Sequence, residues 1–291
     1  MKKRPRLQKL TNEENAQLTQ AQGLFDAGRF ASAGQICQHL IERKPRAPEP
    51  LLLKSWIGAQ EGDFFAAQGS VQRAAELLPT DAGVQAWAAQ VCSDAGDLRA
   101  ANAFEKQALK LGNPDVPVLR SLASSYTSAE RYSEALPCYQ RLLALEPGNP
   151  GNLMNVAYAA RYAGDMVLAR ESLIQLLESN PRDYQALYAL SQLQTATDSE
   201  NHIEKYETAL AAAGSDHQAG SFLGYALGKE YEDIGEYDRS FHNYQMGAKA
   251  VLQSRRGLST EAAMIEKTRK RFTDLSAPEA TKTEPSCTAT S

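Results

Sequence analysis

The sequence lacks the features that membrane, secreted and metal-binding proteins need. No run of residues approaches the roughly 18 consecutive apolar residues of a transmembrane helix. The first residues, MKKRPRLQKLTNEEN, are basic, but no apolar segment follows them as it would in a secretory signal. There is no C-x-x-C pair and no histidine at zinc-ligand spacing, and the four cysteines lie far apart, at Cys37, Cys92, Cys138 and Cys287. These absences predict a cytoplasmic chain in a reducing compartment, without a membrane span, bound metal or cofactor.

Valine, isoleucine and threonine are also scarce, whereas alanine and leucine dominate. This balance favours helices over strands, because β-branched side chains suit a pleated sheet and alanine and leucine suit a helix. Hydrophobic residues make up 43% of the chain and charged residues 23%, which is typical of a folded globular protein. We therefore expect an all-α protein.

Positive charge is concentrated at the N-terminus, in a predicted basic tail of residues 1–13. It carries five basic residues before the first acid: Lys2, Lys3, Arg4, Arg6 and Lys9. Removing these five charges from the total of −4 leaves −9 on the remainder. An acidic body argues against binding to a phosphate backbone, so no nucleic-acid partner is expected. One alternative is that the basic tip itself contacts an anionic lipid or nucleic acid.

A period of 34 residues runs through most of the chain. It relates four glycines, with Glu130 in the one slot that lacks glycine: Gly28, Gly62, Gly96 and Gly164. The same period relates four prolines, with Asn113 followed by Pro114 in the remaining slot: Pro45, Pro79, Pro147 and Pro181. Two independent residue types that share one period indicate a repeat protein.

Small residues recur at two further positions of the repeat. The eighth position holds Ala21, Ser55, Ala89, Ala123, Ala157 and Ser191, and the twentieth holds Ala33, Ala67, Ala101, Ala135 and Ala169. Small side chains at matching positions let two helices approach closely. Each unit is thus predicted to contain two antiparallel helices, with the glycine ending the first helix and the proline ending the second. An apolar residue two positions after the glycine is expected to plug the turn: Phe30, Phe64, Leu98, Tyr132 and Met166.

The last two units are irregular. In the sixth, Asp198 replaces the turn glycine and Ile203 replaces the small residue of the second helix. The seventh is three residues late, at Gly228, and Leu252 replaces its final proline, so that its second helix can continue. Units are predicted to start near residues 14, 48, 82, 116, 150, 184 and 221.

Residues 14–252 resemble the tetratricopeptide (TPR) family in repeat length and in these positions. The resemblance implies a right-handed α-solenoid of about seven helix-turn-helix units. The following "GLSTEAAMIEKTRKRFTDL" has an apolar stripe at helical spacing, and Ser259 or Thr260 as N-cap, which predicts a capping helix over 253–275. Residues 276–291, rich in Ser, Thr, Pro and Ala, are expected to be disordered.

No stretch of the sequence predicts a catalytic centre. The four histidines are not arranged with other ligand-type residues, and acids such as "EYED" (230–233) are interpreted as solvated helix charges. "SRRGLST" (254–260) has the composition of an anion-binding loop, but the segment before it reads as a helix and not as the strand that a phosphate loop requires. The chain is therefore predicted not to be an enzyme.

What remains is a binding surface. In TPR proteins the first helix of each unit lines a concave groove, and the resemblance implies which positions of that helix face inward. In this sequence those positions hold many aromatic residues and arginines, the types that dominate binding hot spots. These candidates are Trp56, Arg120, Asn155, Tyr158, Arg161, Tyr162, Tyr188, Gln192, Tyr225 and Lys229. The densest cluster is Asn155, Tyr158, Arg161, Tyr162 and Tyr188; an alternative is that these residues only pack between units. Some TPR proteins bind the terminal carboxylate of a peptide with a clamp of basic and asparagine residues. In this sequence only Arg120 and Asn155 match the residues of that clamp.

Residues 222–272 also resemble the last repeat and connecting helix of bacterial TPR–sulfotransferase proteins, although this chain lacks their catalytic motifs. Two functional hypotheses follow. The first is a non-catalytic scaffold that binds an extended peptide or a helix of a protein partner in the groove. The alternative is the substrate-recognition half of a truncated or split sulfotransferase, whose partner would be a separately encoded catalytic domain.

Overall fold

The computed structural model of the chain describes residues 7–112 and 114–256. These residues form fourteen α-helices and no β-strand. In chain order the helices are α1 (Asn12–Asp26), α2 (Phe30–Arg43), α3 (Pro48–Gln60), α4 (Phe64–Leu77), α5 (Ala82–Asp94), α6 (Leu98–Lys110), α7 (Val116–Ser128), α8 (Tyr132–Leu145), α9 (Pro150–Ala163), α10 (Met166–Ser179), α11 (Tyr184–Ser191), α12 (Ile203–Ala213), α13 (His217–Asp233) and α14 (Tyr237–Arg256). The predicted all-α fold is confirmed.

The chain divides into two compact bodies, residues 1–186 and 187–291, with the boundary inside α11. In the N-terminal body, each repeat is a pair of antiparallel helices, and the first helix of the next repeat packs on that pair. One buried cluster illustrates this, since Ile41 of α2 and Leu51 of α3 share it with Ala75 of α4 and Val84 of α5. The core is therefore continuous from one repeat to the next.

The small residues lie where the two helices of a repeat cross. The alanines at the twentieth position are all buried, and so are the alanines and serines at the eighth. Because neither surface carries bulk at the crossing, the helices can pack closely.

The turns between paired helices also follow the sequence prediction. The four periodic glycines have φ between +71° and +92°. Glu130 has φ +57° and is the one non-glycine residue with positive φ in the described part of the chain. A left-handed backbone is costly for a residue with a Cβ atom, so Glu130 adopts a strained conformation that the repeat geometry imposes.

The prediction that an apolar residue plugs every turn was wrong for Leu98 and Met166, which are exposed. A hydrogen bond closes these two turns instead. Asp97 and Asp165 are the N-caps of α6 and α10, and each carboxylate accepts a backbone N–H of the first helical turn. In contrast, Phe30 follows an arginine N-cap that makes no side-chain hydrogen bond, and its ring packs against Phe25.

The sixth repeat differs from its prediction. Ile203 begins α12, and the crossing position belongs to Tyr206, which lies 34 residues before Ser240 and is fully buried. The Tyr206 hydroxyl donates to the carbonyl oxygen of Leu187 at 3.0 Å. The three extra residues are therefore in the loop 192–202, between the paired helices, and not between repeats. Asp198 does not take the left-handed turn conformation either. A tyrosine is too large for the crossing that alanine allows, which is consistent with the short α11.

The seventh repeat begins earlier than predicted. The N-cap Asp216 accepts hydrogen bonds from Gln218 and Ala219, so α13 starts at His217 and not near 221. The helices α13 and α14 then approach closely along glycines: a Cβ atom added to Gly224 would lie 2.8 Å from the backbone of Gly247.

Both predicted terminal segments need correction. From residue 7 onwards the predicted basic tail belongs to the first repeat. The backbone N–H of Gln8 donates to the Arg46 carbonyl oxygen, and Thr11 and Glu14 form a capping box. At the other end α14 runs through Arg256, so residues 253–256 are not part of a separate capping helix. Residues 1–6, Asn113, the rest of the capping helix and of the 254–260 segment, and the predicted tail lie outside the described residues.

Candidate peptide-binding surface

The predicted groove residues fall in both bodies, and none of them is buried. In the N-terminal body, α3 carries Trp56, α7 carries Arg120, and α9 carries Asn155, Tyr158, Arg161 and Tyr162. In the C-terminal body, Tyr188 lies on α11, Gln192 directly follows it, and Tyr225 and Lys229 lie on α13.

Three of the four predicted α9 residues, Asn155, Tyr158 and Tyr162, line a pocket that we call the tyrosine pocket. Its volume is about 190 Å³, and its walls are Thr127 of α7, Tyr132 and Tyr139 of α8, and Asn155, Tyr158, Ala159 and Tyr162 of α9. Tyr132 was predicted only as a turn residue, and Tyr139 was not predicted at all. The density of tyrosine between residues 126 and 162 was the signal in the sequence that could have revealed them.

Contacts within the chain hold the pocket walls in position. The rings of Tyr132 and Tyr162 stack with centroids 4.5 Å apart. The Thr127 hydroxyl donates to the Ala123 carbonyl, so the Tyr139 hydroxyl, 3.0 Å away, must donate to Thr127. Burial raises the pKa of Tyr139. This phenol therefore keeps its proton at neutral pH and remains a donor.

A buried acid fixes the turn that leads into the pocket. Glu105 is buried and accepts hydrogen bonds from Ser125 and from the Arg131 guanidinium, both at 2.8 Å. The Arg131 guanidinium also lies 4.7 Å from the Tyr126 ring centroid. Because Arg131 directly precedes Tyr132, this network orients the stacked wall. Glu105 is thus not one of the solvated helix charges that the sequence predicted.

The predicted groove cations differ in their partners. Arg120 forms a two-bond ion pair with Glu146 at 2.8–2.9 Å, and Lys229 pairs with Asp233. The Arg161 guanidinium instead lies 5.6 Å from the Tyr162 ring centroid, and no carboxylate of the described residues is within ion-pair distance of it. Arg161 therefore lies beside the wall residue Tyr162 of the tyrosine pocket and carries a charge that no described carboxylate neutralises.

In the C-terminal body, acids of the "EYED" segment hold the loop 192–202. Glu230 is buried and accepts the backbone N–H of His202 at 2.6 Å, and Asp233 accepts that of Ala196 at 2.7 Å. Lys229 also donates to the Gln194 carbonyl. The interpretation of this segment as solvated charge was wrong for Glu230 and Asp233, whereas Glu232 is exposed. Lys229 has a structural role.

The predicted aromatic residues of this body form two pairs. Tyr188 contacts Phe222 with centroids 6.0 Å apart, and Tyr225 contacts Tyr244 at 6.2 Å. The Tyr244 hydroxyl donates to Glu232, and the Gln192 amide donates to Ser191. These side chains therefore already pack and hydrogen-bond within the body.

A larger pocket of about 580 Å³ lies between α12 and α14. Two of its charged groups contact the same tyrosine: the Tyr231 hydroxyl donates to Glu207 at 2.6 Å, and the Arg239 guanidinium lies 5.2 Å from the Tyr231 ring centroid. We regard the smaller tyrosine pocket as the better candidate site, because the predicted groove residues Asn155, Tyr158 and Tyr162 line it.

The described residues hold no group of three metal-ligating side chains and no helix suited to crossing a bilayer. Cys37 and Cys92 are fully buried, and burial raises the pKa of each thiol to about 11. Both are therefore protonated at neutral pH and poor nucleophiles. Cys138 is only half-buried.

No family model and no curated protein matches the sequence. Among solved structures, the C-terminal part of a TPR repeat-containing protein from Cytophaga hutchinsonii has a TM-score of 0.56 at 13% identity, over 80% of this chain and 95% of that chain. A tetratricopeptide repeat protein from Parabacteroides merdae also has 0.56, at 14% identity, over 82% of this chain and 94% of that chain.

A third neighbour belongs to a protein complex. The structure of the APC/C hetero-tetramer Cut9–Hcn1 has a TM-score of 0.53 at 16% identity, over 74% of this chain and 43% of that chain. At these identities the likeness concerns the fold. Together with the 34-residue period and the helix pairs, it shows that the chain has the fold of a tetratricopeptide-repeat solenoid.

Proposed function

We propose that the chain is a non-catalytic scaffold that binds an extended peptide or a helix of a protein partner at the tyrosine pocket. The observation that carries this proposal is an aromatic pocket beside Arg161, an arginine that no described carboxylate neutralises. Aromatic residues and arginine are the types that dominate binding energies at protein interfaces.

The size of the tyrosine pocket bears on the kind of ligand. At about 190 Å³ it is smaller than the roughly 300–1,000 Å³ of pockets that enclose whole small molecules. It suits one apolar or aromatic side chain of a peptide. The unpaired Arg161 then favours a ligand with a carboxylate close to that side chain, because guanidinium and carboxylate form strong charge-assisted hydrogen bonds.

The experiment is peptide selection followed by affinity measurement. Peptides selected against the purified chain should combine an apolar or aromatic residue with a nearby acid. We expect Tyr162→Ala and Arg161→Ala each to weaken their binding about tenfold or more, which corresponds to about 1.4 kcal/mol. The matched control is Arg120→Ala, since Arg120 is paired with Glu146. Selected peptides that bind all three variants as well as wild type would refute the proposed site.

Salt dependence gives a second readout. The contribution of Arg161 should fall as ionic strength rises, because exposed charges are screened. Titration calorimetry at two salt concentrations should show this loss for wild type and not for Arg161→Ala.

The resemblance of residues 222–272 to TPR–sulfotransferase proteins motivates the second hypothesis, a substrate-recognition half of a split enzyme. It predicts that the purified chain alone transfers no sulfonate and that a separately encoded catalytic chain binds it and acquires activity. Failure of such a catalytic chain to bind in a direct assay would remove this alternative without affecting the tyrosine pocket.

A further inference from the structure

A pocket of about 440 Å³ lies between α2 and the hairpin of α3 and α4, within the N-terminal body. Two glycines line it, Gly34 of α2 and Gly58 of α3, and Phe30 and Ile57 provide apolar walls. We call it the glycine pocket. A Cβ atom added to Gly34 would meet no atom within 4 Å, so the space beside α2 at this residue is open. The glycine pocket shares no lining residue with the tyrosine pocket.

The next repeat fills the corresponding space with its own side chains. Gln68 and Cys92 follow Gly34 and Gly58 by 34 residues and therefore occupy the same two repeat positions. The Gln68 amide donates a hydrogen bond to Asp97 at 2.8 Å, and this bond connects α4 to the following hairpin. Because Gly34 has no side chain, α2 cannot make the equivalent bond. The glycine pocket is thus the place of a missing side chain that carries an N–H donor.

The acceptor of that missing bond is present. Asp63 corresponds to Asp97, and its Oδ1 atom accepts the backbone N–H of Ala66 at 3.0 Å as the N-cap of α4. Its Oδ2 atom has no hydrogen-bond partner among the described residues, whereas Oδ2 of Asp97 accepts from Gln68. Gln38 does not supply the donor either, because its amide donates to Glu42 at 2.7 Å. The pocket therefore offers a carboxylate oxygen to an external donor.

The charges of the glycine pocket favour a cationic ligand. Glu42, Glu61 and Asp63 line it, against a single ammonium group, that of Lys54. With the histidine of the pocket uncharged, this lining has an excess of two negative charges. Glu61 and Asp63 form no ion pair with any described residue, and Lys54 donates to the Gln38 side chain. A cation would therefore be attracted to the end of the pocket that Glu61 and Asp63 line.

We propose that the glycine pocket binds an arginine side chain of a protein partner. The guanidinium group takes the place of the Gln68 amide and donates to Oδ2 of Asp63. Arginine suits this site because its planar fork of N–H donors matches a carboxylate, and its aliphatic stem can pack against Ile57 and Phe30. This interaction goes beyond peptide binding at the tyrosine pocket and does not depend on it.

The test is an NMR titration of the full chain with the capped tripeptide Ala-Arg-Ala. Backbone amides of residues 30–66 should shift on its addition and should not shift with capped Ala-Glu-Ala. The capped tripeptide Ala-Gln-Ala has the N–H donor but no charge, so it should bind about tenfold more weakly or worse than Ala-Arg-Ala.

Two variants probe the pocket without unfolding it. Gly34→Gln supplies the side chain that the next repeat has, so it should weaken binding of Ala-Arg-Ala about tenfold or more. Its thermal midpoint should not fall, because the space is open and glutamine favours a helix over glycine. Asp63→Asn keeps an N-cap type residue and removes the charge, and it should weaken binding to a similar extent. Gly69→Gln is the matched control, since Gly69 also lies in open space on α4 but outside the pocket, and it should bind as wild type does.

Three results would overturn the proposal. One is the absence of shifts in residues 30–66 with Ala-Arg-Ala. Another is equal binding of Ala-Glu-Ala, which would show that charge does not select the ligand. The third is unchanged binding by Gly34→Gln, which would place the arginine outside the glycine pocket.

Discussion

Replacing Gly224 by alanine tests whether the last helix pair is held together by direct backbone contact. A Cβ atom at this position would lie 2.8 Å from the Cα and N atoms of Gly247 and 3.1 Å from the Asn243 carbonyl oxygen. These are backbone atoms, which cannot rotate away as the end of a flexible side chain can. The alanine can be accommodated only if α13 and α14 move apart.

Two opposing effects set the magnitude. Alanine is favoured over glycine in a helix interior by about 1 kcal/mol. Overpacking typically costs about 1–3 kcal/mol, and contact with a rigid backbone places this case at the upper end. The net expectation is that Gly224→Ala destabilises the C-terminal helix pair by about 2 kcal/mol.

The control is the same substitution where space is available. Gly69, inside α4, has no atom within 4 Å of an added Cβ, so Gly69→Ala should stabilise its helix by about 1 kcal/mol. Hydrogen exchange localises each effect, with faster exchange in α13 and α14 for Gly224→Ala and slower exchange in α4 for Gly69→Ala. Thermal denaturation by circular dichroism should shift in opposite directions. If Gly224→Ala is neutral or stabilising, the close backbone contact is not present.

Three other substitutions have expected outcomes. Glu130→Gly should raise stability by about 1 kcal/mol, because glycine adopts φ +57° without strain; a fall in the thermal midpoint would contradict this. The pKa of Glu14 is lowered, chiefly by the hydrogen bond from the Thr11 backbone N–H. Its contribution to stability is therefore present above the ordinary carboxyl pKa and lost as pH falls, and the difference in thermal midpoint between wild type and Glu14→Gln should shrink from pH 7 to pH 3. Tyr206→Phe should cost about 1–2 kcal/mol in denaturant unfolding, since it leaves the buried Leu187 carbonyl without its donor, and an unchanged midpoint would exclude that bond.

Part of the candidate site could be read from the sequence. Asn155, Tyr158 and Tyr162 were predicted from their repeat positions, and the structure brings them together in one pocket. The repeat positions did not predict Tyr139, because it lies on a second helix, where the repeat pattern gives no reason to expect a pocket wall. Whether the predicted groove residues bind a partner stays a prediction.

The sequence also did not predict which acidic residues form ion pairs with the basic residues of the groove. The sequence shows only that three of the predicted groove residues, Arg120, Arg161 and Lys229, are positively charged. In the structure Glu146, 26 residues away, forms an ion pair with Arg120, and Asp233 forms one with Lys229. The unpaired state of Arg161 follows from the surrounding helices and not from its own position in the repeat.

The sequence by itself determined the helix pairs, their 34-residue period and the small residues at the crossings, because these depend on contacts within one repeat and recur wherever the repeat does. Glu130 shows how strongly this pattern acts, since it takes the backbone conformation of the glycines it replaces. Only the tertiary structure decided where the period breaks. Tyr206 occupies the crossing and the loop 192–202 absorbs three extra residues, since Glu230 and Asp233 bind that loop from α13, 28 and 37 residues away. Such contacts between distant residues follow no period, so they cannot be read from one.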